Sequence, residues 1–129
     1  TYLFISHNLA VVRHISSRIA VMYLGRIVEL GTVESLFRDP IHPYTRLLLA
    51  SMPARHPRQR HDDRLASEDP SASSSPAAGG CRFAPRCPYA EARCRTSDPA
   101  LLEVAPGRFA ACIRAADGTL PSRSEGLPL

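Results

Sequence analysis

Arg18-Ile19-Ala20-Val21-Met22-Tyr23-Leu24-Gly25-Arg26-Ile27-Val28-Glu29-Leu30-Gly31 is the stretch on which the fold turns. Two apolar, β-branched runs flank a glycine, a pattern that predicts a buried strand over 18–24, a turn at Gly25-Arg26 and a return strand over 27–30. Gly25 supplies the positive φ that such a turn needs, and Gly31 ends the second strand. Upstream, Thr1-Tyr2-Leu3-Phe4-Ile5 reads as a fully buried core strand, and Ser6-His7-Asn8 follows at once. A fold that opens inside a core strand is expected to have further parts ahead of residue 1. In an α/β sheet, chemistry sits just beyond the carboxyl ends of strands, which is where His7 falls. His7 is therefore a candidate catalytic residue, with simple capping of the next helix as the plainer reading.

Further along, Asn8 is placed as the N-cap of a short helix in which Leu9, Val12 and Ile15 share a face. Thr32 is placed as the N-cap of another, with Glu34 in its first turn and Leu36-Phe37 on its apolar face. Asp39-Pro40 stops that helix, because the residue before proline is pushed out of helical geometry. His42-Pro43-Tyr44-Thr45 starts the next one, with Pro43 suited to the first turn and Tyr44, Leu47 and Leu48 on one face. From 54 to 80 the sequence reads as a linker, since it holds one leucine, no larger apolar residue and a Ser/Ala/Gly-rich run. The residues from 117 onward, rich in Gly, Ser and Pro, read as frayed.

Composition narrows the function classes. The chain has 129 residues and a net charge of +4, and its 16 basic residues are all arginine. With no lysine, a GxxxxGK[ST] phosphate loop is excluded from these residues. The arginines are scattered, with few aromatics among them, which argues against nucleic acid as a partner. No apolar stretch approaches the ~20 residues of a membrane helix, and no signal peptide is visible.

The four cysteines, Cys81, Cys87, Cys94 and Cys112, leave gaps of five, six and seventeen residues. Without a secretory signal, metal binding is favoured over disulfides, because cytosolic thiols stay reduced. Structural zinc sites usually use close cysteine pairs, and none occurs here. The wide gaps suit a four-iron cluster, whose irons are reached from different directions. Zinc, two disulfides or four free thiols are the other readings. Phe83, Tyr89, Leu101, Leu102, Val104, Phe109 and Ile113 are the expected apolar shell.

Phe4-Ile5-Ser6-His7-Asn8-Leu9, followed by the stretch from Arg18 to Gly31, closely resembles the switch-histidine region of ABC transporter ATPases. His42-Pro43-Tyr44-Thr45 narrows the resemblance to the oligopeptide and dipeptide importers. Gly80-Cys81-Arg82-Phe83-Ala84-Pro85-Arg86-Cys87-Pro88-Tyr89-Ala90 is similar to the Cys-rich extension of those proteins. The resemblance implies an α/β fold: the C-terminal fragment of a P-loop ABC-type nucleotide-binding domain (one core strand, a β-hairpin, short helices) plus a small Cys-rich extension. Its divisions would be the end of the ATPase domain at 1–53, a flexible linker at 54–80, the extension at 81–114 and a disordered tail at 115–129.

The same resemblance implies that His7 contacts the γ-phosphate of ATP, with Mg2+ bound in the full-length protein. It implies a [4Fe-4S] cluster on Cys81, Cys87, Cys94 and Cys112, with zinc as the alternative. Implied partners are transmembrane permease subunits and a second ATP-binding subunit, at the cytoplasmic face of the cell membrane. Peptide would be met only indirectly, and nucleic acid not at all. The phosphate loop, glutamine loop, LSGGQ-type signature and catalytic-carboxylate strand of the family are not among these residues, so the fragment alone is expected to be inactive. The rival reading is a stand-alone iron–sulfur or zinc-binding interaction or regulatory module without ATPase activity.

Overall fold

The computed structural model describes residues 2–52 and 79–121. The expected linker, apart from Gly79 and Gly80, and the end of the expected tail lie outside the described residues. The elements run α1 (Leu9–Ile15), β1 (Arg18–Tyr23), β2 (Arg26–Thr32), α2 (Val33–Arg38), α3 (Pro43–Ala50), a 3₁₀ turn (Ala84–Arg86), α4 (Ala92–Thr96), β3 (Leu102–Ala105), β4 (Arg108–Ala110) and α5 (Ile113–Ala116).

The first hairpin forms where the sequence places it, with its turn one residue earlier. Tyr23 pairs with Arg26, so the loop is Leu24-Gly25. Both residues take positive φ, 44° and 76°, the conformation whose twist matches that of paired strands. A bulge between Val21 and Met22 leaves Val28 as the extra residue on β2. The bulge turns two successive side chains, Val28 and Glu29, into the interior. The core gathers Val12 of α1, Ile19 and Val21 of β1, Val28 of β2 and Leu36 of α2, with Tyr23, Val33, Phe37, Tyr44 and Leu48 packed against it.

The helix boundaries follow their local signals. Asn8 Oδ1 accepts from the Ala10 and Val11 amides at 3.1 and 3.3 Å, Thr32 Oγ1 accepts from the Ser35 amide at 3.2 Å, and α2 ends at Arg38 ahead of Asp39-Pro40.

Three expectations are corrected. Tyr2-Leu3-Phe4-Ile5 joins no ladder and is exposed, Leu3 at 92% and Ile5 at 89%. A strand exists only where a neighbour supplies N–H and C=O partners, and the described sheet offers this segment none.

Secondly, the expected divisions at 1–53 and 81–114 share one sheet. β3 and β4 form a second hairpin, turned at Pro106-Gly107, and β4 pairs antiparallel with β2 through Glu29↔Ala110 and Leu30↔Phe109. The outcome is one four-stranded antiparallel sheet, ordered β1-β2-β4-β3, with short helices around it. The fold is thus mixed α/β, as the family resemblance implies for a C-terminal part.

Thirdly, residues 115–121 do not fray as the expected tail. Ala115 and Ala116 complete α5, Asp117 fixes the turn through the Thr119 amide at 3.1 Å, and the Pro121 carbonyl accepts from Arg46 at 2.8 Å. Among the described residues no helix is long and apolar enough to cross a membrane.

Candidate functional site

The cysteines come from four separate pieces of chain: the loop ahead of the 3₁₀ turn, the residue after it, α4 and the start of α5. All four nevertheless line one cavity, together with His42, Phe83, Tyr89 and Arg114. None is in a disulfide. Short-range packing brings the pieces together. The Cys81 amide donates to the Cys94 carbonyl at 2.8 Å. Gly80 lies so close to α4 that a Cβ there would stand 2.4 Å from the Arg95 carbonyl oxygen, a separation only glycine permits. Arg93 and Arg114 both pair with Glu91, at 2.8 and 3.0 Å, and Arg93 also pairs with Asp117 at 2.5 Å. Arg114 donates to the Tyr89 and Thr119 carbonyls at 3.2 and 2.6 Å, tying the Cys112 segment to the loop after Cys87.

Burial pushes the thiols of Cys81, Cys87 and Cys112 up, Cys87 to about 11, and the neighbouring cysteines add to the effect. These are neutral thiols, not thiolate nucleophiles. Backbone amides oppose the shift: those of Phe83 and Ala84 at Cys81, Tyr89 at Cys87, and Arg114 and Ala115 at Cys112 hydrogen-bond the sulfurs in the sense that favours thiolate. Among the described residues, no group of three or more His, Cys, Asp or Glu side chains is set to hold a metal ion as it stands.

Phe83, Tyr89 and Ile113 of the expected shell do line the cavity. Leu101 and Leu102 do not serve in it, for both are exposed.

Against this cavity lies a buried polar layer that the sequence patterns do not announce. Glu29 is 2% exposed, and its carboxylate accepts from the Ile41 and His42 amides at 2.8 and 2.9 Å. Burial raises its pKa, opposed by those amides and by the charge of Arg108. His42 Nδ1 caps α3 by accepting from the Tyr44 amide at 3.1 Å. Its ring also bonds the backbone of Ala111, and burial lowers its pKa to about 4. His42 is thus a neutral joint between α3 and the residue next to Cys112. Arg46, 9% exposed, donates to the Pro40 and Pro121 carbonyls at 3.0 and 2.8 Å. One signal does mark Glu29: a lone carboxylate within an apolar strand is buried only when it is hydrogen-bonded.

His7 lies elsewhere. It is exposed, in a bend just before α1, and does not line the cysteine cavity.

Residues 28–94 match the family described as oligopeptide/dipeptide transporter, C-terminal region, and the chain belongs to that family. Over 85% of its length it is 51% identical to the probable peptide ABC transporter ATP-binding protein y4tS of Sinorhizobium fredii, covering 31% of that protein. Over 87% of its length it is 47% identical to the oligopeptide transport ATP-binding protein AppF of Bacillus subtilis, covering 34% of that protein. The chain therefore spans about a third of the length of the curated relatives it matches.

Proposed function

We propose that these residues serve as the C-terminal part of an ATP-binding subunit that couples ATP binding and hydrolysis to peptide import. The family match over 28–94, with relatives named as peptide and oligopeptide transport ATP-binding proteins, carries this reading. His7 acts in it as the switch histidine that contacts the γ-phosphate. Its exposure before α1 makes the imidazole accessible to a nucleotide held by other parts of the protein. Mg2+ and the phosphate cradle belong to those other parts. The partners are permease subunits and a second ATP-binding subunit at the cytoplasmic face of the membrane. In the full-length protein, His7→Ala is expected to cut ATP turnover by roughly tenfold or more while nucleotide binding persists. Unchanged turnover would remove His7 from the mechanism.

The cysteines are assigned to a [4Fe-4S] cluster, with zinc as the alternative. Support comes from four thiols on one cavity and backbone amides that favour thiolate at three of the sulfurs. When bound, such a group supplies covalent cross-links among segments too small to fold well on apolar burial alone. Protein purified without oxygen is expected to carry iron and acid-labile sulfide near about four of each per chain. Replacing Cys81, Cys87, Cys94 or Cys112 by Ser should lower that content. One zinc without sulfide would put zinc in its place, and no bound metal would end both assignments.

A further inference from the structure

We propose that the groove between the tip of the β1–β2 hairpin and the loop after α4 is a docking site for a partner polypeptide that presents large apolar side chains next to a carboxylate. The proposal stands apart from the nucleotide and thiol assignments above and adds an interaction surface to them.

The groove has a volume of about 400 Å³, and its walls come from both halves of the chain. Met22, Arg26 and Ile27 of the first hairpin line one side, and Arg82, Asp98 and Leu101 line the other. Around it apolar side chains stand open to solvent: Met22 is 60% exposed, Ile27 39% and Leu101 36%. Leu24, next to Gly25 in the turn, and Leu102, next to Leu101, carry exposed apolar surface past the groove itself. Apolar surface that continues beyond a cavity suits a chain laid across it better than a small molecule sunk within it.

Charge defines the other half of the occupant. Arg26 is paired with Asp98. Arg82 is half-buried and has no such partner among the described residues; its guanidinium donates to the Leu24 carbonyl. It lies against the turn, where a Cβ on Gly25 would stand 3.7 Å from its Nη1. A carbonyl holds a guanidinium in place without neutralising it, and the remaining N–H groups of the fork match a carboxylate. Of the three ionised groups on the groove, two arginines and one aspartate, one positive charge is left over. An acidic side chain on Arg82, with apolar neighbours against Met22, Ile27 and Leu101, answers both features. Methionine and arginine are the residues that protein interfaces favour for such contacts.

The test is an NMR titration of the full chain, kept reduced, with the synthetic peptide acetyl-Gly-Leu-Glu-Leu-Gly-amide. Its controls carry Gln in place of Glu, or Ser in place of both Leu. The acidic peptide is expected to shift the amides of Gly25, Ile27, Arg82 and Leu101. It should bind about three- to tenfold more tightly than the Gln peptide at low salt, and the preference should shrink as salt screens the pair. The Ser peptide should leave those amides unmoved. Arg82→Gln is expected to erase the preference for Glu over Gln. Leu101→Ser, at an exposed position outside the core, should weaken both leucine peptides alike, and it reads the apolar half of the contact even if Arg82→Gln loosens the turn. Equal affinity for the Glu and Gln peptides, or no shift at these four amides, overturns the docking site. Octanoate binding there as tightly as the acidic peptide would make it a site for a small amphiphilic anion and overturn the polypeptide reading.

Discussion

Replacing Phe83 by alanine is expected to destabilise the metal-free chain by about 3–5 kcal/mol, the range for deleting a buried aromatic ring. Phe83 is among the most completely buried side chains. Its ring touches Tyr23, Tyr44 and His42, which belong to β1 and to the start of α3. The loss should therefore appear in both halves at once, although Phe83 sits in the Cys-rich segment. In urea unfolding, backbone circular dichroism and hydrogen-exchange protection of β1–β2 should fall together at a lowered midpoint. A hairpin that kept its wild-type midpoint while only residues 79–121 loosened would show that the halves do not share a core. A segment held by a tether alone would behave in that second way; the β2–β4 pairing is why it should not.

Acid is expected to weaken the fold through His42. Its pKa falls from 6.5 to about 4 on burial, so the unfolded chain binds a proton in that window while the native chain does not. Stability from this group is present above pH 6.5 and drains as pH falls towards 4, by about 3 kcal/mol in all. Arg46 adds to the shift by its charge, and the Ala111 backbone bond opposes it. Glu29 acts in the opposite sense. With its pKa raised above 4.5, the native state takes up that proton first, so the stability it adds at low pH is lost as pH rises. Comparing urea midpoints of the wild type and His42→Asn between pH 7 and pH 4.5 isolates the histidine. The wild type should lose more on acidification than the variant. Equal losses would show that His42 is not buried as a neutral ring.

The elements legible in the sequence are those whose causes lie within a few residues. Gly25 marks the hairpin, Asn8 and Thr32 cap their helices with their own side chains, and Asp39-Pro40 stops α2. Pro43, suited to a first helical turn, starts α3. Residue type and spacing group the four cysteines as one site, and all four do line one cavity. The second hairpin is legible in principle, since Pro106-Gly107 is a turn signal. Its strands span four and three residues, too short to show a period. The exposed run from Tyr2 to Ile5 marks the opposite error, because apolar composition proposes a strand that only a neighbour can complete.

What the sequence by itself determined is thus the local geometry: turns, caps, stops and the residue types of the thiol site. The tertiary structure alone decided that β4 pairs with β2, that Val28 and Glu29 both face inward across a bulge, and that His42 joins α3 to the residue beside Cys112. The physical reason is one of range. A cap or a turn is settled by hydrogen bonds spanning two to four positions, whereas Glu29↔Ala110 and Phe83 against Tyr23 join residues many tens of positions apart. No periodicity encodes such pairs; burial of apolar rings and the need to satisfy buried amides select them only when the whole chain closes.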